Sequence, residues 1–165
     1  MPILKRLENF LKKEKAFYTV VPHKTVYTTF DLSQTLHEDL GVIAKALLLK
    51  VDRDFVFAVI PGNKRLDLDK LKKLINTEKK KQGEQPTKRL KIATETQIKR
   101  SITKKVGALV PFGSIYRKKT YADQLLLKNK KIILNAGNFK ESIRMTTSVY
   151  QKVEQPILGS FSKAK

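Results

Sequence analysis

Lys45 stands inside an otherwise apolar run, Ile43-Ala44-Lys45-Ala46-Leu47-Leu48-Leu49-Lys50-Val51. If this run is a strand, alternation puts Lys45 on one face with Ile43, Leu47, Leu49 and Val51, while Lys50 falls on the other near the end. A buried, unpaired ammonium costs several kcal/mol, so a lysine on such a face meets an anion or stands at the mouth of a cleft. The other reading is an aliphatic stem lying along apolar surface with its charge reaching water at the strand's start. Alternation alone leaves both open.

Gly107-Ala108-Leu109-Val110-Pro111 is a second candidate. Glycine lets backbone approach a ligand closely, proline stiffens the same loop, and the free N–H groups between them could meet developing negative charge. Gly137-Asn138 has the same character, and an ordinary turn is the alternative for each. His23 and His37 are the only imidazoles. His23 follows Pro22 at a strand end and His37 lies on the polar side of a helix, so both read as surface histidines. With no cysteine and two distant histidines, a zinc site lacks ligands and a serine triad lacks its geometry. No metal and no cofactor is expected.

The charge balance is 35 Lys plus Arg against 15 Asp plus Glu, a net +20. Such an excess repels itself unless a polyanion is the partner, and it supplies the phosphate-neutralising term that dominates nucleic-acid affinity. Lys80, Lys81, Lys88 and Arg89, then Lys99 and Arg100, then Arg117 and Lys118 beside Tyr116 and Tyr121, could track a phosphate backbone with an aromatic free to stack on a base. A Lys-rich solvated surface is the alternative for any one run. A membrane partner is not expected, because no stretch approaches the roughly 18 uninterrupted apolar residues a span needs and no basic helix carries aromatic anchors. Absence of cysteine and of a signal-peptide pattern points to the cytoplasm.

The elements that must position these groups follow from periodicity. Pro2 and an apolar stripe at Ile3, Leu4, Leu7, Phe10 and Leu11 open a helix running to Lys15. Phe17–Val21 reads as a strand stopped by Pro22. Thr28 or Thr29 caps a helix bearing Leu32, Leu36 and Leu40 that ends at Gly41. Val42–Val51 and Phe55–Ile60 form a hairpin around Asp52-Arg53-Asp54 at the centre of a sheet. Asp67 caps a short helix through Ile75, and 77–91 reads as a mobile basic loop. Thr94 and Gln97 have capping-box spacing. Ile132–Leu134 and Ile143–Met145 are strands. The fold class is α/β, a mixed, largely antiparallel curled sheet with flanking helices. Residues 1–155 form one domain and 156–165 a flexible tail.

Taken in order, Ile43–Leu49, Phe57–Gly62 with Leu66–Leu71, Lys91–Thr94, Gly107–Gly113 and Asn135–Gly137 resemble the YbaK/prolyl-tRNA-synthetase-associated editing domains over about residues 15–154. The resemblance implies an aminoacyl-tRNA deacylase acting in trans without a metal, on alanine, cysteine or a similar small amino acid. Its partners would be the aminoacylated 3′ end of tRNA and an aminoacyl-tRNA synthetase. It implies that Lys45 is the hallmark residue, holding the terminal phosphate or the developing charge, and that Gly107 and Pro111 shape the pocket. On this basis the amides of Gly107 and Ala108 would serve an oxyanion, and Leu109, Val110 and Ser142 would select the amino acid, with Gly137 and Asn138 lining the site. Since no side-chain base is visible, water and the neighbouring ribose hydroxyl would carry the attack. Relatives acting on cysteinyl-tRNA carry a tyrosine and an aspartate where this chain has Val21 and Ser142. The alternative is a catalytically silent, basic tRNA-binding module associated with a synthetase.

Overall fold

A computed structural model describes residues 4–165, so Pro2 and Ile3 of the expected first helix lie outside the described residues. In chain order the elements are α1 (Lys5–Lys13), β1 (Thr19–Pro22), α2 (Thr29–Leu36), β2 (Ala44–Val51), β3 (Asp54–Pro61), β4 (Lys64–Leu66), α3 (Leu68–Lys81), β5 (Leu90–Ile92) and α4 (Glu95–Ser101). They continue with β6 (Lys119–Asp123), α5 (Gln124–Leu127), β7 (Lys131–Asn135), β8 (Glu141–Thr146), α6 (Thr147–Glu154), β9 (Ile157–Gly159) and β10 (Ser162–Ala164). Short 3₁₀ turns occupy Leu40–Val42, Val106–Ala108 and Gly113–Tyr116.

The central sheet has the order β5-β2-β3-β6-β9, antiparallel on the β5 side and parallel from β3 to β9. A second, antiparallel sheet runs β1-β8-β7, and a parallel bridge from Ile43 to Ile133 joins the two. The mixed α/β class is therefore as expected. The β2–β3 hairpin lies at the sheet's centre and both its faces are covered, which explains why its sequence is a nearly continuous apolar run. Leu49, Val51, Val56, Ala58 and Ile60 pack under Leu71 and Ile75 of α3. Ala44 and Val59 turn the other way, into a core shared with Leu7 and Leu11 of α1 and with Phe112 and Tyr150.

The helix starts follow their caps. Thr28 Oγ1 accepts from the Asp31 amide, Asp67 Oδ1 accepts from Lys70, and Thr94 with Gln97 forms a complete capping box. Each side chain satisfies an amide that the first turn leaves without a partner.

Three expectations change. The second helix ends at Leu36 with His37 left-handed (φ 55°), so Leu40 and Gly41 belong to a separate 3₁₀ turn. Helix α3 continues through Lys81, so Thr77–Lys81 is helical rather than loop. The extra turns carry no apolar period, only Lys79, Lys80 and Lys81 near the negative end of the helix dipole, where cations are favoured. Beyond Gln155 the chain does not fray. β9 pairs parallel with β6, and β10 pairs antiparallel with β4. Phe161 between them is fully buried under α3, and Asp123 accepts its amide.

Candidate active site

One cavity, of about 420 Å³, gathers residues from distant parts of the chain. Lys45 and Ala46 reach it from the start of β2, Asn138 and Ser142 from the β7–β8 connection and β8, and Gly107 and Leu109 from the loop after α4. His23 and the segment Val26–Phe30 close the remaining side. Five expected site residues, Lys45, Gly107, Leu109, Asn138 and Ser142, are thus brought together from three distant parts of the chain.

Lys45 is opposite Ile60 in the hairpin register and shares its side of β2 with Leu47, Leu49 and Val51, as alternation requires. Ile43 departs from that pattern and packs with Val26, Leu32 and Ile133. The Lys45 side chain is half-buried, and among the described residues it has no ion pair. Burial, and then the charge of Lys165 on the same cavity wall, lower its pKa below the ordinary lysine value. Among the described residues no Asp or Glu lines the cavity, so Lys45 is a cation without an acidic side-chain partner, a favourable place for an anion of the substrate.

The loop from Gly107 is divided in its roles. Gly107 is exposed at the cavity wall, and a Cβ there would approach the Phe139 ring at 3.1 Å. Ala108 spends its amide on the Lys105 carbonyl (2.9 Å), which removes it as an oxyanion donor and leaves Gly107, whose own short turn offers no acceptor. Leu109 lines the cavity, whereas Val110 is buried in the central core and Pro111 is buried beside it. The Pro111 carbonyl accepts from Tyr150 Oη at 2.7 Å. Val110 and Pro111 therefore anchor the loop instead of touching a ligand, and the apolar character expected to select an amino acid is fastening the wall to the core. Gly137 (φ +94°) is likewise structural, since a Cβ would lie 2.5 Å from Leu4.

An imidazole also reaches the cavity. His23 Nε2 lies 3.0 Å from Ser142 Oγ, and its Nδ1 lies 2.7 Å from the Lys24 carbonyl. Both residues line the cavity, although 119 positions separate them in sequence. The only sequence signal was the Pro-His at the end of β1. Antiparallel pairing of β1 with β8, which sets Val21 opposite Ser142, carries the imidazole there.

The expected polynucleotide contacts scatter. Lys99 and Arg100 are exposed on α4, and Lys80 and Lys81 on the end of α3. Lys88 and Arg89 give their backbone amides to the Asp52 carboxylate, leaving their side chains exposed. Arg117 caps a 3₁₀ turn with a left-handed backbone. Lys118 is spent: it pairs with Asp54 at 2.9 Å and lies over the Phe55 ring.

The family model for the aminoacyl-tRNA editing domain matches residues 23–153, a span that holds every one of these cavity groups except Lys165. The chain belongs to the aminoacyl-tRNA editing domain family. A curated relative, the multifunctional Ser/Thr-tRNA deacylase ProXp-y of Escherichia coli K12, is 28% identical over 163 residues, covering 96% of this chain and 92% of that protein. Among solved structures, a candidate trans-editing enzyme for prolyl tRNA synthetase superposes with a TM-score of 0.75 at 19% identity, covering 97% and 96% of the two chains. The hypothetical protein APE2540 superposes with a TM-score of 0.79 at 16% identity, covering 96% and 100%. As an editing domain, the protein is a hydrolase of the aminoacyl-tRNA ester bond, which sets aside the reading as a silent RNA-binding module. None of its described helices is long and apolar enough to cross a membrane.

Proposed function

We propose that the cavity binds the aminoacylated 3′ end of a mischarged tRNA, with Lys45 holding the terminal phosphate and the amino acid directed inward toward Ser142. The observation that carries this reading is the unpaired, half-buried Lys45 on one wall of a cavity whose other walls supply Gly107, Asn138 and Ser142. The inner lining, Val26, Leu32, Ile43 and Leu109, is neutral and apolar, so the anionic part of the substrate belongs at the lysine.

At the mouth, Tyr27 and Phe30 are 67% and 59% exposed, an unusual state for aromatic rings and a suitable face for the terminal base. The Gly107 amide faces the ester as a donor to the developing oxyanion, and hydrolysis is driven by positioning and electrostatics. A cavity of this size suits a small aminoacyl group. Seryl and threonyl esters are favoured over alanyl or cysteinyl ones, because the curated relative acts on them and because the inner wall carries a hydroxyl and an imidazole. The protein acts in trans on tRNA charged elsewhere, in the cytoplasm.

Deacylation of a panel of tRNAs charged with Ser, Thr, Ala, Cys and Pro tests this directly, and no hydrolysis of any member would refute it. The exposed cations contribute a salt-dependent share of affinity. If the complex neutralises roughly six phosphates, the log–log salt slope of tRNA binding is about −5.

A further inference from the structure

We propose that Ser142 and His23 form a hydroxyl-reading pair at the inner wall of the cavity, which selects esters whose side chain bears a β-hydroxyl; the inference rests on the deacylase reading above. A carbonyl has no proton to give, so the 2.7 Å contact of His23 Nδ1 with the Lys24 oxygen requires hydrogen on Nδ1. In the neutral ring Nε2 is then an acceptor, and the 3.0 Å contact makes the Ser142 hydroxyl its donor. The lone pairs of Oγ remain, turned to the cavity as an acceptor whose direction the histidine has fixed.

The pair is held rigidly. Ser142 sits on β8, the middle strand of its sheet, opposite Val21 and Asn135. The His23 amide donates to the Lys140 carbonyl and the Val26 amide to Phe139, both at 2.9 Å, stitching the histidine segment to the start of the same strand. Ser142 is only 2% exposed, so an acceptor there exchanges with little bulk water.

Shape cannot do this task. Threonine and valine are nearly isosteric, and an apolar lining such as Val26, Leu32, Ile43 and Leu109 separates substrates differing by a methylene only about 10–200-fold. A site built to hydrogen-bond a hydroxyl discriminates much further, because an analogue lacking it leaves a desolvated acceptor unpaired. The competing role for Oγ is to accept from the α-ammonium, which every aminoacyl ester carries; that role would give no side-chain selectivity.

The experiment compares kcat/KM on threonyl and valyl esters of the same tRNA, and on seryl and alanyl esters, for the parent, Ser142→Ala and His23→Ala. The expected result is a parent preference for the hydroxyl-bearing member of each pair, reduced about tenfold or more in Ser142→Ala. A smaller reduction is expected in His23→Ala, where the serine keeps its oxygen but loses its orientation. His23→Ala also serves as the readout if Ser142→Ala fails to fold. Equal losses on both members of a pair overturn the inference in favour of catalysis or ammonium binding, and an unchanged ratio overturns it outright. A parent that hydrolyses none of the esters refutes the deacylase reading itself, an outcome distinct from an active parent with unselective variants.

Discussion

The two ends of the β2–β3 hairpin treat charge in opposite ways. At the turn, Asp54 pairs with Lys118 and Asp52 collects the backbone amides of Lys88 and Arg89, so both acids and one cation are used up in holding loops to the sheet. At the other end Lys45 shares with Lys165 a cavity whose described lining includes no Asp or Glu, and burial lowers its pKa. A net charge of +20 is shared by both ends, yet only one has an unmet electrostatic requirement. On the proposed reading, function is marked by the missing acidic partner at Lys45 more than by the density of basic residues.

The comparison can be broken most forcefully at Lys45. Removing a charge that grips a substrate phosphate costs about 2–5 kcal/mol, so Lys45→Ala is expected to lower kcat/KM on aminoacyl-tRNA by about 30-fold or more. Its unfolding free energy should not fall, because an unpaired half-buried ammonium stabilises nothing; a large loss of stability would show that Lys45 is structural.

A third kind of charge sits under the 3₁₀ turn Gly113–Tyr116. Glu154, 5% exposed, accepts from Thr120 Oγ1 and the Ser114 amide, while its Oε1 has no partner. Burial pushes its pKa up to about 7. Because the folded pKa is above the unfolded one, its contribution to stability is present at low pH and is lost as pH rises from about 4.5 to about 7. The loss amounts to roughly 3 kcal/mol. Denaturant unfolding of Glu154→Gln at pH 5 and pH 8 should show the glutamine variant gaining on the parent by an amount of that order at the higher pH. A difference independent of pH would mean that the carboxyl does not titrate in this window.

The smallest effect belongs to the turn end. Lys118→Ala removes a partly exposed ion pair worth at most about 1 kcal/mol and is expected to leave deacylation unchanged. A deacylation loss comparable to that of Lys45→Ala would erase the contrast between the two ends.

Much of this was readable from the chain. The hairpin, the Thr94–Gln97 box, the Asp67 cap and the placement of Lys45 follow from period and capping chemistry, which are local. What escaped was non-local or ambiguous. His23 and Ser142 meet only because β1 pairs with β8, and no spacing rule predicts a contact across 119 positions. Val110 and Pro111 share the loop's apolar character with Leu109, but which of them faces a cavity depends on Tyr150 and α1 packing from elsewhere. Strands β9 and β10 are three residues each, too short for alternation to declare, and take their order from the partners they pair with.

The central claim is that Lys45 grips a phosphate and does not act on the ester itself. Comparing the parent and Lys45→Ala on aminoacyl-tRNA and on the matching aminoacyl-adenosine, which carries no phosphate, separates these roles. The account predicts a large loss on the tRNA and near-equal rates on the nucleoside ester. An equal loss on both substrates would contradict it, placing the ammonium at the reacting carbonyl.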